Sequence, residues 1–331
     1  MAATDSEGPD RRWSKASRYA RRAEVIRTEE VAPTGTMRIR FRVVDDGPFS
    51  FLPGQFVGIE YAADGLGYRR SPYCLLPPPG GERDFELLVR VVQDGQISRH
   101  LGSLKAGDEV AFRAPTGRSM LPKDRSRELI LVATGVGVAP LYALARYLLD
   151  EGFGQPIRLY WGLRRPEDMC LTEELDDLAR RHPNFEYEVS LSEWPATWAG
   201  LRGRVTESVP PLIPALGGRH FYLCGNGAMV EEMDTALSDL GVAEEFIYKE
   251  AYFNRRHKPD EAKMDALRGR FVADDLFSPF SHQSASLFEV HTTFQPAGRN
   301  VTADASSDLF RRVPSGKRLP REEQGPSTGP G

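Results

Sequence analysis

The chain has 331 residues, of which 40% are hydrophobic and 27% charged, with a formal net charge of −4. These values fit a soluble globular protein of up to two domains and exclude an overall electrostatic pull toward nucleic acid or anionic membrane. Its three cysteines, Cys74, Cys170 and Cys224, stand far apart. That spacing excludes a self-contained cysteine-ligated zinc or iron–sulfur site and points to a reducing compartment. No apolar run reaches signal-peptide or membrane-spanning length, so the expected location is the cytoplasm.

Residues 1–20 read as a disordered basic leader, with Arg11, Arg12, Lys15 and Arg18 running on into Arg21 and Arg22. It is either a solvated arm or a docking patch for an acidic partner. From Ala23 the pattern changes to short β-type runs at Ala23–Arg27, Met37–Val43, Gln55–Glu60, Phe85–Val92 and Glu109–Arg113. Turn signals such as Pro53-Gly54, Asp94-Gly95 and Ala106-Gly107-Asp108 bound them. Arg38, Arg40 and Arg42 alternate with Ile39, Phe41 and Val43, the period of a half-buried strand. Residues 21–125 are therefore expected to form a small antiparallel barrel.

Three stretches inside it bear on chemistry. Leu52-Pro53-Gly54-Gln55-Phe56 reads as a turn into a strand. Tyr68-Arg69-Arg70-Ser71-Pro72-Tyr73-Cys74-Leu75-Leu76 brings guanidinium, phenol and thiol together at a strand end. Arginine suits a phosphate and tyrosine a planar ring. Gly95-Gln96-Ile97-Ser98-Arg99 offers a flexible anion site with backbone donors, a hydroxyl and a guanidinium. Each stretch is also compatible with ordinary loop chemistry.

In residues 126–253 strands alternate with helices, which predicts an α/β domain with a parallel sheet and a ligand at the carboxyl ends of its strands. Leu129–Val132 is a buried strand breaking into Thr134-Gly135-Val136-Gly137, and Pro140 then opens an amphipathic helix. The glycines and the helix terminus form either an anion site or an ordinary tight turn. Further strands are expected at Ile157–Leu163, Phe185–Leu191, Phe221–Cys224 and Phe246–Lys249, with helices near Leu171–Leu178 and at Ala228–Leu240. Glu193 follows Ser192 after the strand Phe185–Leu191. A carboxylate there accepts from hydroxyls and repels an added phosphate, so if the ligand is a nicotinamide dinucleotide it favours NADH over NADPH. Arg164, Arg165, Arg202 and Arg204 are phosphate binders on the opposite reading.

The order Pro-Gly-Gln-Phe, Arg/Tyr motif, Gly-x-x-Ser-Arg, Gly-Asp-x-Val, Pro-Thr-Gly and Thr-Gly-x-Gly-x-Ala-Pro resembles the ferredoxin–NADP reductase family over about residues 22–253. The resemblance implies a two-domain protein: a β-barrel that binds FAD followed by an α/β domain that binds NAD(P)H. By that resemblance Tyr73 lies against the flavin, Arg70 binds a flavin phosphate, and Ser98 and Arg99 hold the pyrophosphate. Ser71, Leu75, Gly95 and Thr116 complete the expected flavin contacts. Thr134, Gly135, Gly137, Pro140, Arg164, Ser192 and Glu193 are the expected nucleotide contacts. Cys224 approaches the nicotinamide, Gly225 leaves room for its ring, and Tyr252 or Phe253 covers the flavin face. Glu250 is a hydrogen-bond or proton partner close to flavin N5.

Two departures stand out. Arg70 lies three residues before Tyr73 rather than two, with Arg69 as its rival, and Cys74 occupies the place of the family's hydroxyl beside N5. A thiol is the weaker donor.

The resemblance implies an enzyme that takes a hydride from NAD(P)H onto FAD and passes single electrons to a separate carrier of ferredoxin, flavodoxin or Rieske type. A reductase component of an oxygenase, a flavin or quinone reductase, and a non-catalytic flavin-binding regulatory module are the alternatives. The chain is expected to be a monomer without a metal site or nucleic-acid partner. Residues 254–331 form an extension that is Gly/Pro/Ser-rich from Pro296 and expected to be mostly disordered.

Overall fold

The computed structural model describes residues 20–63, 67–77, 83–93, 95–213 and 217–252. The basic leader, Phe253 and the extension from 254 onward lie outside the described residues.

Six strands close the barrel in the order β1-β2-β5-β4-β3-β6. They are β1 (Arg21–Ala32), β2 (Thr36–Val43), β3 (Phe56–Ala63), β4 (Gly67–Leu76), β5 (Asp84–Arg90) and β6 (Glu109–Thr116). Closure follows from β1 pairing with both β2 and β6, all antiparallel, which leaves no open edge. Ile39, Phe41 and Val43 point inward with Phe49, Phe85 and Phe112, whose rings meet at centroid separations of 5.0 to 6.0 Å. Arg38, Arg40 and Arg42 point outward, as the alternation predicts. Their partners are acids of β5: Arg38 with Glu86 at 2.7 Å, and Arg40 and Arg42 with Asp84 at 2.8 and 2.9 Å.

Two elements differ from the sequence reading. Residues 67–76 form a ten-residue strand, not merely a strand end. Pro72 is tolerated because β4 pairs with β3 along its length but with β5 only at Leu75 and Leu76 among the described residues. The Gly95 stretch is also not a flexible loop. Gln96–Ser103 is a helix, α1, that buries Ile97, Ser98 and Leu101.

The second half is a six-stranded parallel sheet in the order β10-β9-β8-β7-β11-β12. Its strands are β7 (Glu128–Thr134), β8 (Ile157–Leu163), β9 (Phe185–Leu191), β10 (Leu201–Arg202), β11 (Arg219–Asn226) and β12 (Ile247–Tyr252). Helices α2 (Val138–Asp150) and α3 (Thr172–Arg181) cover one face; α4 (Val205–Ser208) and α5 (Gly227–Asp239) cover the other. The chain passes from β7 toward β8, β9 and β10, then returns to place β11 and β12 on the other side of β7. Strand order therefore reverses at β7, where ligands of such sheets bind. Leu76, Leu88 and Met120 of the barrel half join Leu141 and Leu144 of α2 in one hydrophobic cluster. That cluster fixes the barrel against the sheet and sets β4 opposite the ends of β11 and β12.

A candidate flavin and nicotinamide nucleotide site

Parallel pairing puts Cys224 of β11 beside Glu250 of β12, and Asn226 beside Tyr252. Two-residue alternation carries Glu250 and Tyr252 to the same face. Cys74, on β4, meets them from the barrel. Its thiol donates to Glu250 Oε1 at 2.9 Å and lies 3.1 Å from the Tyr252 hydroxyl. The Cys224 thiol donates to the same hydroxyl at 3.3 Å. Four of the expected catalytic side chains thus form one chain of contacts across the boundary between the halves.

Burial governs the electrostatics of this cluster. Desolvation raises the Glu250 carboxyl from 4.5 to about 7, opposed by the bond from Cys74. The same desolvation pushes both thiols and the Tyr252 phenol well above their ordinary values, so all three are neutral donors. Glu250 Oε2 is buried without a hydrogen-bond partner. An orphaned carboxyl oxygen in a dry site marks a place for a further polar group, which suits a polar ring edge such as that of a flavin.

The flavin residues divide by strand face. In the regular β3–β4 register Ser71 lies opposite Ile59 and Tyr73 opposite Val57, on the face that carries Leu75 into the barrel core. Arg70 and Cys74 lie on the other face, opposite Glu60 and Phe56. The extra residue between Arg70 and Tyr73 therefore sends their side chains to opposite faces of β4. On the outer face Arg70 and Arg113 flank the buried Glu60, at 3.7 and 2.8 Å. Guanidiniums in this place are compatible with a phosphate. Thr116 pairs with Phe56, continuing that row.

Ser98 is buried in α1, and its hydroxyl is engaged locally, donating to Gly95 O and accepting from Val92 N, each at 3.3 Å. Gly95 lacks a side chain because a Cβ there would stand 2.4 Å from that hydroxyl. Arg99 is exposed on the same helix.

A cavity of about 640 Å³ opens at the carboxyl ends of the sheet. Thr134, Gly135, Arg164 and Ser192, four of the residues assigned to the nucleotide by resemblance, line it, and so does Tyr252. Gly135 has φ of +54° and nothing within 4 Å of where a Cβ would stand, so its backbone faces open space. Such a glycine turn leading into α2 suits a pyrophosphate.

The other glycines serve packing. At Gly137 a Cβ would stand 2.4 Å from Cys224 O, and Pro140 is buried in the first turn of α2. At Gly225, with φ of +142°, a Cβ would stand 2.2 Å from Thr134 Oγ1. The room left at Gly225 is thus taken by Thr134, whose hydroxyl accepts from Asn226 N at 3.0 Å.

The two carboxylate oxygens of Glu193 accept from Arg164 Nε and Arg165 Nε, each at 2.7 Å, so the carboxylate is engaged with cations. These contacts hold its carboxyl below the usual range.

Several contributors escaped the sequence reading. Trp161, fully buried, donates Nε1 to Gly135 O at 2.9 Å and fixes the glycine turn. Asn226 caps α5 by accepting from Ala228 N at 2.9 Å, and it lines the cavity. Arg90 and Asp168 line it too. They are joined across the two halves at 3.3 Å, and Thr34 donates to the same Asp168 oxygen at 2.5 Å. The Trp-Gly-Leu-Arg and Cys-Gly-Asn runs were the available signals.

Comparison with known proteins agrees with this arrangement. Residues 22–120 match the family model of the oxidoreductase FAD-binding domain, and residues 131–235 that of the oxidoreductase NAD-binding domain. The chain is 30% identical over 215 residues to the ferredoxin–NAD(P)(+) reductase component of the naphthalene 1,2-dioxygenase/salicylate 5-hydroxylase systems of a Ralstonia species. That match covers 65% of this chain and 64% of the relative. Identity to ferredoxin–NADP reductase B of Sorangium cellulosum is 31%, covering 65% of this chain and 90% of the relative. Among solved structures, the Amycolatopsis cytochrome P450 reductase GcoB superposes with a TM-score of 0.64 at 28% identity, covering 70% of this chain and 69% of that one. Matched across both halves, with barrel and sheet in the same order, the chain belongs to the ferredoxin–NADP reductase family.

Proposed function

We propose that the chain is an FAD-dependent NAD(P)H oxidoreductase that delivers electrons singly to a separate carrier protein. One observation carries this reading: Cys74, Glu250 and Cys224 form one chain of contacts with Tyr252, which lines the cavity. When bound, FAD supplies the conversion between hydride and single-electron chemistry.

The residues of this chain orient, exclude water and manage protons. Arg70, with Arg113, offers positive charge to a flavin phosphate on the outer face of β4. Tyr73, Ser71, Leu75, Gly95, Ser98, Arg99 and Thr116 are assigned to the flavin by family resemblance. Thr134, Gly135, Arg164 and Ser192 are assigned to the dinucleotide because they line the cavity. Tyr252 lines it without charge, with the buried Cys224 thiol on its hydroxyl. Glu250 holds or yields a proton at Oε2, the oxygen that takes no bond, because burial sets its carboxyl at about 7. Cys74 serves where a hydroxyl is usual, keeping a donor on Oε1.

The names of the relatives support a reductase serving an oxygenase, and the acceptor is then an iron–sulfur carrier or the oxygenase itself. No helix of the described residues is long and apolar enough to cross a membrane. The test is reconstitution with FAD followed by NAD(P)H-dependent reduction of a one-electron acceptor such as ferricyanide. Turnover dependent on both FAD and NAD(P)H is expected. A protein that binds FAD but transfers nothing is instead the non-catalytic flavin module.

A further inference from the structure

A second cavity, of about 690 Å³, is lined by both the barrel half and helix α2, and it shares no lining residue with the nucleotide cavity. Apolar walls come from Pro48, Phe51 and Pro53 between β2 and β3, from Pro77 after β4, and from Ala143 and Tyr147 of α2. Arg83, just before β5, lines it as well. The Nε and Nη2 atoms of Arg83 are buried and have no hydrogen-bond partner. Leaving buried donors without an acceptor is costly, so they mark a place for one.

Those two nitrogens form one edge of the guanidinium, whose parallel N–H groups match the two oxygens of a carboxylate. The chain uses the same edge elsewhere. Through Nε and Nη2, Arg21 holds Asp45 at 3.0 and 2.7 Å and Arg42 holds Asp84 at 2.9 and 3.1 Å, one oxygen per nitrogen. The acids that line the cavity do not serve Arg83. Asp84 is taken by Arg42 and by Arg40, Asp150 lies 3.6 Å from Arg146 and 3.5 Å from Arg181, and Asp46 is exposed. Arg146 adds a second guanidinium to the wall, its Nη1 donating to Pro77 O at 3.3 Å.

We propose that this cavity binds a small organic carboxylate with an aromatic body, held by the Nε–Nη2 edge of Arg83. The carboxylate takes the paired N–H groups, and the ring lies among the prolines, Phe51 and Tyr147. A small inorganic anion satisfies the guanidinium but leaves the apolar walls wet. A neutral aromatic covers the walls but leaves the donors without a charged acceptor. Only a ligand with both parts answers both features of the cavity.

The experiment is calorimetric titration of the FAD-loaded, full-length protein with 4-phenylbutyrate, with its neutral amide 4-phenylbutanamide, and with acetate. The aromatic acid is expected to bind roughly tenfold or more tightly than either of the others. Saturation with 5′-AMP is expected to leave that affinity unchanged, because the two cavities share no wall. R83Q removes the charge, and R83K keeps it without the paired edge. In both variants the affinity for 4-phenylbutyrate is expected to fall by roughly tenfold or more, with the flavin spectrum of wild type retained. An amide that binds as tightly as the acid shows an apolar cavity without a carboxylate site and overturns the proposal. Acetate as tight as the aromatic acid shows a bare anion site and overturns it too. Affinity unchanged in R83K, or lost on adding 5′-AMP, places the acid elsewhere and contradicts the assignment. No binding of 4-phenylbutyrate to wild type overturns it as well, with ordered water then serving Arg83. The contrasts among the three ligands need no variant, so they decide even where R83Q fails to fold.

Discussion

The Cys74 thiol, on the barrel strand β4, donates to Glu250 Oε1 on the sheet strand β12 at 2.9 Å. That bond opposes the desolvation which raises the Glu250 carboxyl to about 7. C74A removes the donor, so the carboxyl rises further and the pH dependence of flavin reduction moves to the alkaline side. C74S keeps a donor and leaves the profile close to that of wild type. Rates of reduction by NAD(P)H across pH 5–9 check both expectations.

Glu250 also links folding to pH. Its folded value, about 7, lies above the ordinary 4.5. Below about 4.5 the carboxyl is protonated folded or unfolded, and its contribution is intact. Between about 4.5 and 7 the unfolded chain releases its proton first, so stability falls as pH rises and levels off above 7. The loss amounts to as much as roughly 3 kcal/mol at about 1.4 kcal/mol per pH unit. In E250Q that decline is expected to disappear, as seen in urea unfolding of the apoprotein at pH 5 and pH 8.

Gly225 sits against Thr134 at φ of +142°, a backbone conformation that other residues rarely adopt. A Cβ there would also stand 2.8 and 2.9 Å from the Thr134 backbone, which has nowhere to move in β7. G225A is expected to destabilise by about 2 kcal/mol or more. Chemical denaturation measures it, and a loss below about 0.5 kcal/mol contradicts the packing account.

Trp161 holds the glycine turn through a single bond to Gly135 O. W161F loses that bond and part of a buried ring, at a cost of about 1–3 kcal/mol. Because Gly135 lines the cavity, KM for the dinucleotide is expected to rise as well, with kcat affected less. Stability and steady-state kinetics together separate the two effects.

What was legible in the sequence is what local pattern specifies. The buried run of β7, its glycine turn and the helix after it follow from residues 129–149 alone, and the arginine alternation gave β2 its outer face. β4 was harder because Pro72 and paired arginines disrupt the alternation of a strand. The helix α1 spans only eight residues, too few to show a period.

Contacts between distant segments carry no local signature. Cys74 and Glu250 are separated by 176 positions, and Glu193 meets Arg164 and Arg165 across 29 and 28. Family resemblance placed Cys74 and Glu250 each near flavin N5 without pairing them, and nothing supplied the second contact. A carboxylate after Ser192 reads as a nucleotide contact, and the two guanidiniums that hold it come from another loop. The role of Gly225 was hidden likewise, because the side chain that requires its bareness comes from another strand.

The most direct test of the central claim is anaerobic stopped-flow absorbance on the FAD-loaded protein mixed with NADH and, separately, NADPH. Rapid loss of the oxidised-flavin band with at least one dinucleotide is predicted, slowed by roughly tenfold or more in E250Q or C224A. An oxidised band that persists with both dinucleotides, in a protein whose calorimetry shows nucleotide bound, would contradict hydride transfer at this site.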